Sequence, residues 1–268
     1  MKKLNHLSEI VDFYDCFIID LWGVMHDGIK LNLDAMKVIE NLEKNKKRFV
    51  FLSNAPRPNN DVMQFLKKLE MQDKYLKNVL TSGEAAIKSL NENKFGIKFF
   101  HLGTKKDESL FANIKANQTD LNKCDFILCT GLFDEYENDL EYYKSLLSDF
   151  TSKPFVCTNP DLIVHRGKSR EFCAGTIAEI FKKLGGKVTY FGKPHREIYD
   201  IFLNENEKSL VIGDNLKTDI KGANNLNLDS ILILNGVHKN EINKEEELSN
   251  LLKKYNVSTK FYQENLKW

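Results

Sequence analysis

The chain has 268 residues, enough to bury a substantial core in one large or two small domains. Lysine and arginine number 39 against 38 aspartates and glutamates, and the net charge of +1 argues against nucleic acid or an anionic membrane as the main partner. The apolar runs are no longer than strands, so none is suited to span a bilayer.

Taken in chain order, Met1 to His6 lacks the apolar core of a secretion signal. The first apolar run, Cys16 to Ile19, ends on Asp20 and is followed at once by Leu21, Trp22, Gly23 and Val24. Phe17 to Ile19 is read as a strand, and Ala35, Val38, Ile39 and Leu42 recur at helical spacing behind it. Phe49 to Leu52 is the next strand, closed by Ser53 and Asn54. A second helical set follows at Val62, Phe65, Leu66 and Leu69. This βαβ opening predicts right-handed crossovers and a parallel sheet. From Ser82 to Gly186 the strands Lys98 to Leu102, Phe126 to Cys129 and Pro154 to Cys157 form a block of their own. Thr81-Ser82-Gly83-Glu84 is a helix start before it, and Gly185-Gly186 a stop after it. Beyond it, Val188 to Phe191, Leu210 to Ile212 and Ile231 to Leu234 are expected to resume the first sheet. A charged helix from Asn243 to Tyr255 and a packed tail from Phe261 to Trp268 complete the chain. The expected organisation is an α/β Rossmann-like core of residues 1–81 plus 187–268, with residues 82–186 inserted as an α/β domain. Five cysteines, among them Cys16, Cys124, Cys129 and Cys157 in or beside apolar runs, read as buried reduced thiols of a cytoplasmic protein.

Asp20, Ser53-Asn54, Lys193 and Asp214 each follow an expected strand, and Asp219 stands five residues after Asp214. Ligands in open α/β sheets bind beyond the carboxyl ends of strands, so neighbouring strands would bring these groups to one edge. Carboxylates with water and phosphate oxygens are ordinary surroundings for Mg²⁺. A lysine offsets negative charge, a serine hydroxyl holds a phosphoryl oxygen, and an aspartate can attack phosphorus to form an acyl phosphate. Each residue also has a plainer reading. Asp20 and Asp214 could cap loops, Asp219 could face solvent in a helix's first turn, and Ser53-Asn54 could be turn residues before Pro56. Lys193, His195 and the Lys239–Lys254 charges could serve only a loop, a helix start and a solvated face. Gly103-Thr104-Lys105 is too short for a phosphate loop.

Four segments in order, Asp20-Leu21-Trp22-Gly23-Val24, Leu52-Ser53-Asn54, Gly192-Lys193-Pro194 and Gly213-Asp214-Asn215 with Asp219, resemble the motifs of the haloacid dehalogenase-like (HAD) superfamily. The resemblance is to its subclass IIA of sugar- and nitrophenyl-phosphatase-like proteins, which carry a large α/β cap where residues 82–186 fall. Asn159-Pro160-Asp161 is similar to a segment of that cap. The resemblance implies a Mg²⁺-dependent phosphatase or phosphoryl-transfer enzyme acting on a small phosphorylated metabolite. Asp20 would be nucleophile and metal ligand, the Trp22 carbonyl and Asp214 would be metal ligands, and Asp219 would be a further ligand or a support behind them. Ser53 and Asn54 would bind the phosphoryl group, with Lys193 steadying both it and Asp20. A homodimer through the cap would suit related proteins. The departure is Trp22, where relatives usually place a second aspartate that protonates the leaving group and activates water. An indole does neither, at a cost of roughly 10²–10⁴ in rate. His26 or Asp27 could substitute, and Trp22 could fill space or wall the substrate pocket. Asp161, Arg166 and Arg170 could address a substrate. Two other readings remain: a catalytically reduced sensor of a phosphorylated ligand, and carbon–halogen hydrolysis, which the retained metal acids disfavour.

Overall fold

The computed structural model describes residues 1–167, 169–242 and 245–268. Its strands in chain order are β1 (Lys2–Lys3), β2 (Cys16–Ile19), β3 (Arg48–Ser53), β4 (Val79–Thr81), β5 (Phe99–Leu102), β6 (Phe126–Cys129) and β7 (Phe155–Cys157). They continue with β8 (Ile163–Arg166), β9 (Ser169–Phe172), β10 (Val188–Tyr190), β11 (Ser209–Gly213), β12 (Asp229–Ile233) and β13 (Phe261–Gln263). Seven form one sheet in the order β1-β13-β12-β11-β2-β3-β4, with every pairing parallel. From β2 the chain builds towards β4 on one side, and from β11 towards β13 on the other. The topological switch point therefore lies between β2 and β11, where a doubly wound sheet opens a ligand crevice.

Both faces of this sheet are covered, so its central strands are apolar on both sides. Phe17 and Ile19 of β2 point to the layer that holds the helix Leu33–Lys44, whose buried face is Ala35, Val38, Ile39 and Leu42. Asn32 starts that helix by accepting from the N–H groups of Asp34 and Ala35. Ile18, Val50 and Val211 point the other way, against Ile198 and Tyr199. Each such side chain contributes roughly 1.5–3 kcal/mol on burial. The last residues return to the core: β13 lies between β1 and β12, and Leu266 is buried.

A second parallel sheet, β10-β7-β6-β5, is built from the inserted block. It also has two packed faces, one with Ile127, Phe155 and Phe181 and the other with Phe99, Phe126 and Leu128. Its first helix, Ser82–Asn91, starts where the sequence signals, with Thr81 Oγ1 accepting from Glu84 N at 3.0 Å. One expectation is corrected. The strand at 188–190 does not rejoin the core sheet but pairs with β7, Val188 opposite Phe155. The crossing back to the core therefore comes after Tyr190, not at 186–187. Periodicity identifies a strand but not its partner, and a three-residue strand directly after the helix Ala174–Lys183 closes most simply on its own sheet. The remaining pair, β8 and β9, is an isolated antiparallel hairpin that sequence periodicity had not suggested. The tail helix spans Glu245–Tyr255, and the expected start at Asn243 lies outside the described residues. All five cysteines are free and buried. Among the described residues no helix is long and apolar enough to cross a membrane.

Candidate active site

Register at the switch point sets the first two acids side by side. Ile19 pairs with Ile212, and the Asp20 N–H donates to the Ile212 carbonyl at 2.9 Å. Asp20 thus emerges next to Gly213 and Asp214. A turn of wide helix, Leu216–Ile220, follows β11 and brings Asp219 back beneath them, with Asp219 Oδ2 accepting from Asn215 N at 3.2 Å. One oxygen of each of Asp20, Asp214 and Asp219 lies within 4.8 Å of the others, and all three residues are buried. Gly23, at φ +86°, allows the loop after Asp20 to run against this cluster; a Cβ there would lie 2.1 Å from Asp214 Oδ2.

Lys193 enters from the segment that returns from the second sheet, not from a core strand as expected. It is only 2% exposed, and its Nζ donates to Asp20 Oδ1 and to Asp219 Oδ1, each at 2.7 Å. Asn54 holds this segment in place: its Oδ1 accepts from Lys193 N at 2.7 Å, and its Nδ2 donates to the Lys193 carbonyl at 3.1 Å. Asn54, expected to bind a phosphoryl group, has its side-chain amide engaged with the backbone of Lys193. Ser53 ends β3 one strand away, and its Oγ accepts from Ala55 N at 3.2 Å. Asp20 Oδ1 also accepts from Leu21 N at 2.8 Å, while Oδ2 accepts from no described residue.

Three acids around one ammonium leave excess negative charge. Burial, and then the Asp219 carboxylate, push Asp20 well above the ordinary carboxylate range despite Lys193. The same two causes bring Asp214 up to about 8, against the pull of the Val237 N–H, which donates to its Oδ2 at 2.6 Å. Burial alone would lower the Lys193 ammonium, but Asp20 and Asp219 outweigh it and hold the pKa above the usual lysine value. Asp161 arrives from the inserted block, accepts from Asn215 Nδ2 at 3.2 Å, and is raised to about 6 chiefly by burial. These donors are hard oxygens, too crowded to ionise together without another cation, and so suit a divalent metal.

Asp20, Asp161 and Asp214 line a cavity of about 470 Å³, walled by Trp22, Ile163 and His165, with Lys239 also lining it. Trp22 is half-buried, and its Nε1–H donates to the His165 carbonyl at 2.8 Å. Neither proposed substitute is placed as a free acid. His26 is buried edge-on between Trp22 and Phe65, accepts from Gly28 N, and is held down to about 4 by that burial. Burial would raise Asp27, but the N–H groups of Lys30 and Ile29 outweigh it and lower the carboxyl. Arg166 pairs with Glu171 and lies over the Trp22 ring, and Arg170 lies over Phe172, so neither lines this cavity. His195 starts the short helix Arg196–Tyr199. Sequence reasoning missed the Val237 N–H, a main-chain group that carries no sequence signal, and gave Asn215 of the Gly213-Asp214-Asn215 segment no role.

Carboxylates at the switch point of a doubly wound parallel sheet, with a lysine among them and an inserted α/β unit alongside, define a class of α/β enzyme folds whose site lies at the carboxyl ends of the strands. Comparison with known proteins narrows this. Residues 17–116 match the family described as haloacid dehalogenase-like hydrolase, and residues 190–255 match a related HAD-hydrolase-like family. The chain is 34% identical over 123 residues to the ribonucleotide monophosphatase NagD of Escherichia coli (strain K12), covering 44% of this chain and 47% of that one. The match thus spans about half of that relative's length. It is 27% identical over 282 residues to a 4-nitrophenylphosphatase of Schizosaccharomyces pombe, covering 90% and 91%. A crystal structure of a haloacid dehalogenase-like family hydrolase from Brucella suis 1330 superposes with a TM-score of 0.85 at 26% identity, covering 98% of this chain and 99% of that chain. The chain belongs to the haloacid dehalogenase-like hydrolases, in the branch of sugar- and nitrophenyl-phosphatase-like proteins.

Proposed function

We propose that the protein is a Mg²⁺-dependent phosphohydrolase or phosphoryl-transfer enzyme for a small phosphorylated metabolite. The observation that carries this reading is the buried Lys193 ammonium shared by Asp20 and Asp219, with Asp214 beside them. Asp20 is the nucleophile. Its Oδ1 is held by Lys193 and Leu21 N, which leaves Oδ2 free to attack phosphorus. That attack forms an Asp20 acyl phosphate and breaks the bond from phosphorus to the leaving oxygen, which departs with the electron pair. Water then attacks the acyl phosphate, releasing inorganic phosphate and restoring the carboxylate. Ser53 Oγ holds a phosphoryl oxygen, and Lys193 favours the ionised form of Asp20 and offsets charge on the transferring group. Asp20, Asp214, Asp219 and the Trp22 carbonyl would hold Mg²⁺, which supplies neutralisation of phosphoryl charge. The division into a core of 1–81 plus 187–268 and a cap of 82–186 belongs to this reading, with the second boundary moved beyond Tyr190.

With an indole at position 22, no side chain there protonates the leaving oxygen, which favours acyl and aryl phosphates over alkyl esters. The engaged Trp22 N–H is also the observation that favours a second reading, a sensor that holds a phosphorylated ligand without turning it over. Assay of the purified protein with acetyl phosphate and 4-nitrophenyl phosphate tests both. Turnover that needs Mg²⁺, stops with EDTA and disappears in Asp20→Asn is expected. Binding without turnover would leave the sensor reading.

A further inference from the structure

The β8–β9 hairpin supplies Ile163, Val164 and His165 to the cavity wall, yet it belongs to neither large sheet. None of its described residues is fully buried, and a two-stranded hairpin alone is marginal in water. Its contacts with the loop after Asp20 supply an anchor. The Trp22 indole N–H donates to the His165 carbonyl at 2.8 Å, and the Arg166 guanidinium lies 5.1 Å from the indole centre, itself held by Glu171. Gly28, at φ +84°, leaves the indole its space, since a Cβ there would come within 2.7 Å of Trp22 Cζ2. At the hairpin turn, Gly167 N donates to the Asp27 carbonyl at 3.1 Å.

We propose that Trp22 is a positioning residue whose indole clasps the β8–β9 hairpin onto the loop after Asp20, and so limits the size of the phosphate compound that the site admits. The clasp stands on geometry alone; its consequence for substrate size rests on the phosphohydrolase reading. A side chain two positions after Asp20 is well placed for this, because it sits beside the cluster and its far edge reaches the hairpin backbone. Loss of the N–H removes one hydrogen bond, and loss of the guanidinium removes the cation from the ring face.

Hydrogen exchange followed by mass spectrometry on the full chain tests the clasp without requiring turnover. In Trp22→Phe and in the surface variant Arg166→Met, amides of 163–172 are expected to exchange about fivefold to tenfold faster. The helix Ala174–Lys183 and β11 should keep their wild-type rates. Unchanged exchange in the hairpin, or equal acceleration throughout the chain, would overturn the proposal. Should Trp22→Phe fold poorly, Arg166→Met read against Glu171→Gln keeps the test decisive. Glu171→Gln loses the same ion pair but keeps the guanidinium, so equal acceleration in the two would overturn the proposal. The kcat/KM ratio for a nucleoside monophosphate over acetyl phosphate should rise about tenfold in both variants, and a constant ratio would overturn the size limit. A loosened hairpin in a protein that hydrolyses neither compound would sustain the clasp while removing the phosphohydrolase reading.

Discussion

Replacing Lys193 with methionine keeps most of the side-chain volume and removes the ammonium that Asp20 and Asp219 share. In the wild type that ammonium donates to Asp20 and Asp219 at 2.7 Å and is 2% exposed, so no solvent replaces it. Removing one partner from a buried charge pair costs about 3–5 kcal/mol. At about 2–4 °C per kcal/mol for a chain of this size class, the melting temperature should fall by about 6–20 °C. The loss must depend on pH, because the lysine stabilises only ionised carboxylates. Asp20 and Asp214 are already raised above the ordinary value of 3.8, so the folded protein holds protons that the unfolded chain has released. Stability of the metal-free wild type therefore declines as pH rises from about 4 towards 8. Without Lys193 these carboxyls rise further, the decline steepens, and the gap between variant and wild type widens with pH. At pH 5 the gap narrows, since the lysine then faces partly protonated acids. Thermal melts followed by circular dichroism in EDTA at pH 5 and pH 8 measure both gaps. A gap at pH 8 below about 2 °C, or one no larger than at pH 5, would refute the assignment of Lys193 as the counter-charge of this cluster.

Asp214→Asn should stabilise the metal-free protein at pH 8 by about 2–8 °C, because it removes a crowded carboxylate while its amide oxygen can still accept from Val237 N. The same variant should lose the upward shift that Mg²⁺ gives the wild type. That wild-type shift should be larger at pH 8 than at pH 5, since the cation competes with the proton on a group titrating near 8; melts with and without Mg²⁺ decide it, and an equal shift at both pH values counts against a carboxylate site. Gly23→Ala forces φ +86° on a residue with a Cβ and drives that carbon against Asp214, at a cost of about 1–3 kcal/mol. Gly185→Ala, at φ +98° with nothing within 4 Å, isolates the backbone strain, and equal losses in the two variants would mean that the carboxylate contact is irrelevant. Trp22→Asp should raise kcat for an alkyl phosphate up to about 10²-fold and flatten the dependence of rate on leaving-group acidity. Because it also opens the clasp, KM should rise with it; an unchanged leaving-group dependence would show that an acid at this position has no path to the leaving oxygen.

Much of this protein is legible in its sequence. Cys16 to Ile19 and Leu210 to Ile212 are apolar on both faces and stop on carboxylates, because a central parallel strand is covered by helices on both sides and ends at the ligand edge. Such local patterns determined the fold class, the candidates Asp20, Lys193 and Asp214, and the start of the helix at Thr81-Ser82. Pairing partners and side-chain directions were beyond them. Val188 to Tyr190 reads as a strand in either sheet, and only packing against β7 decides which. Asn54 reads as a phosphate ligand, and nothing local shows that its amide also meets the backbone of a residue 139 positions away. Trp22 reads as a missing acid, yet its N–H meets a carbonyl 143 positions further on. A strand or a cap is set by neighbours within a few residues along the chain, whereas these contacts join segments that only the closed tertiary structure brings within hydrogen-bonding distance.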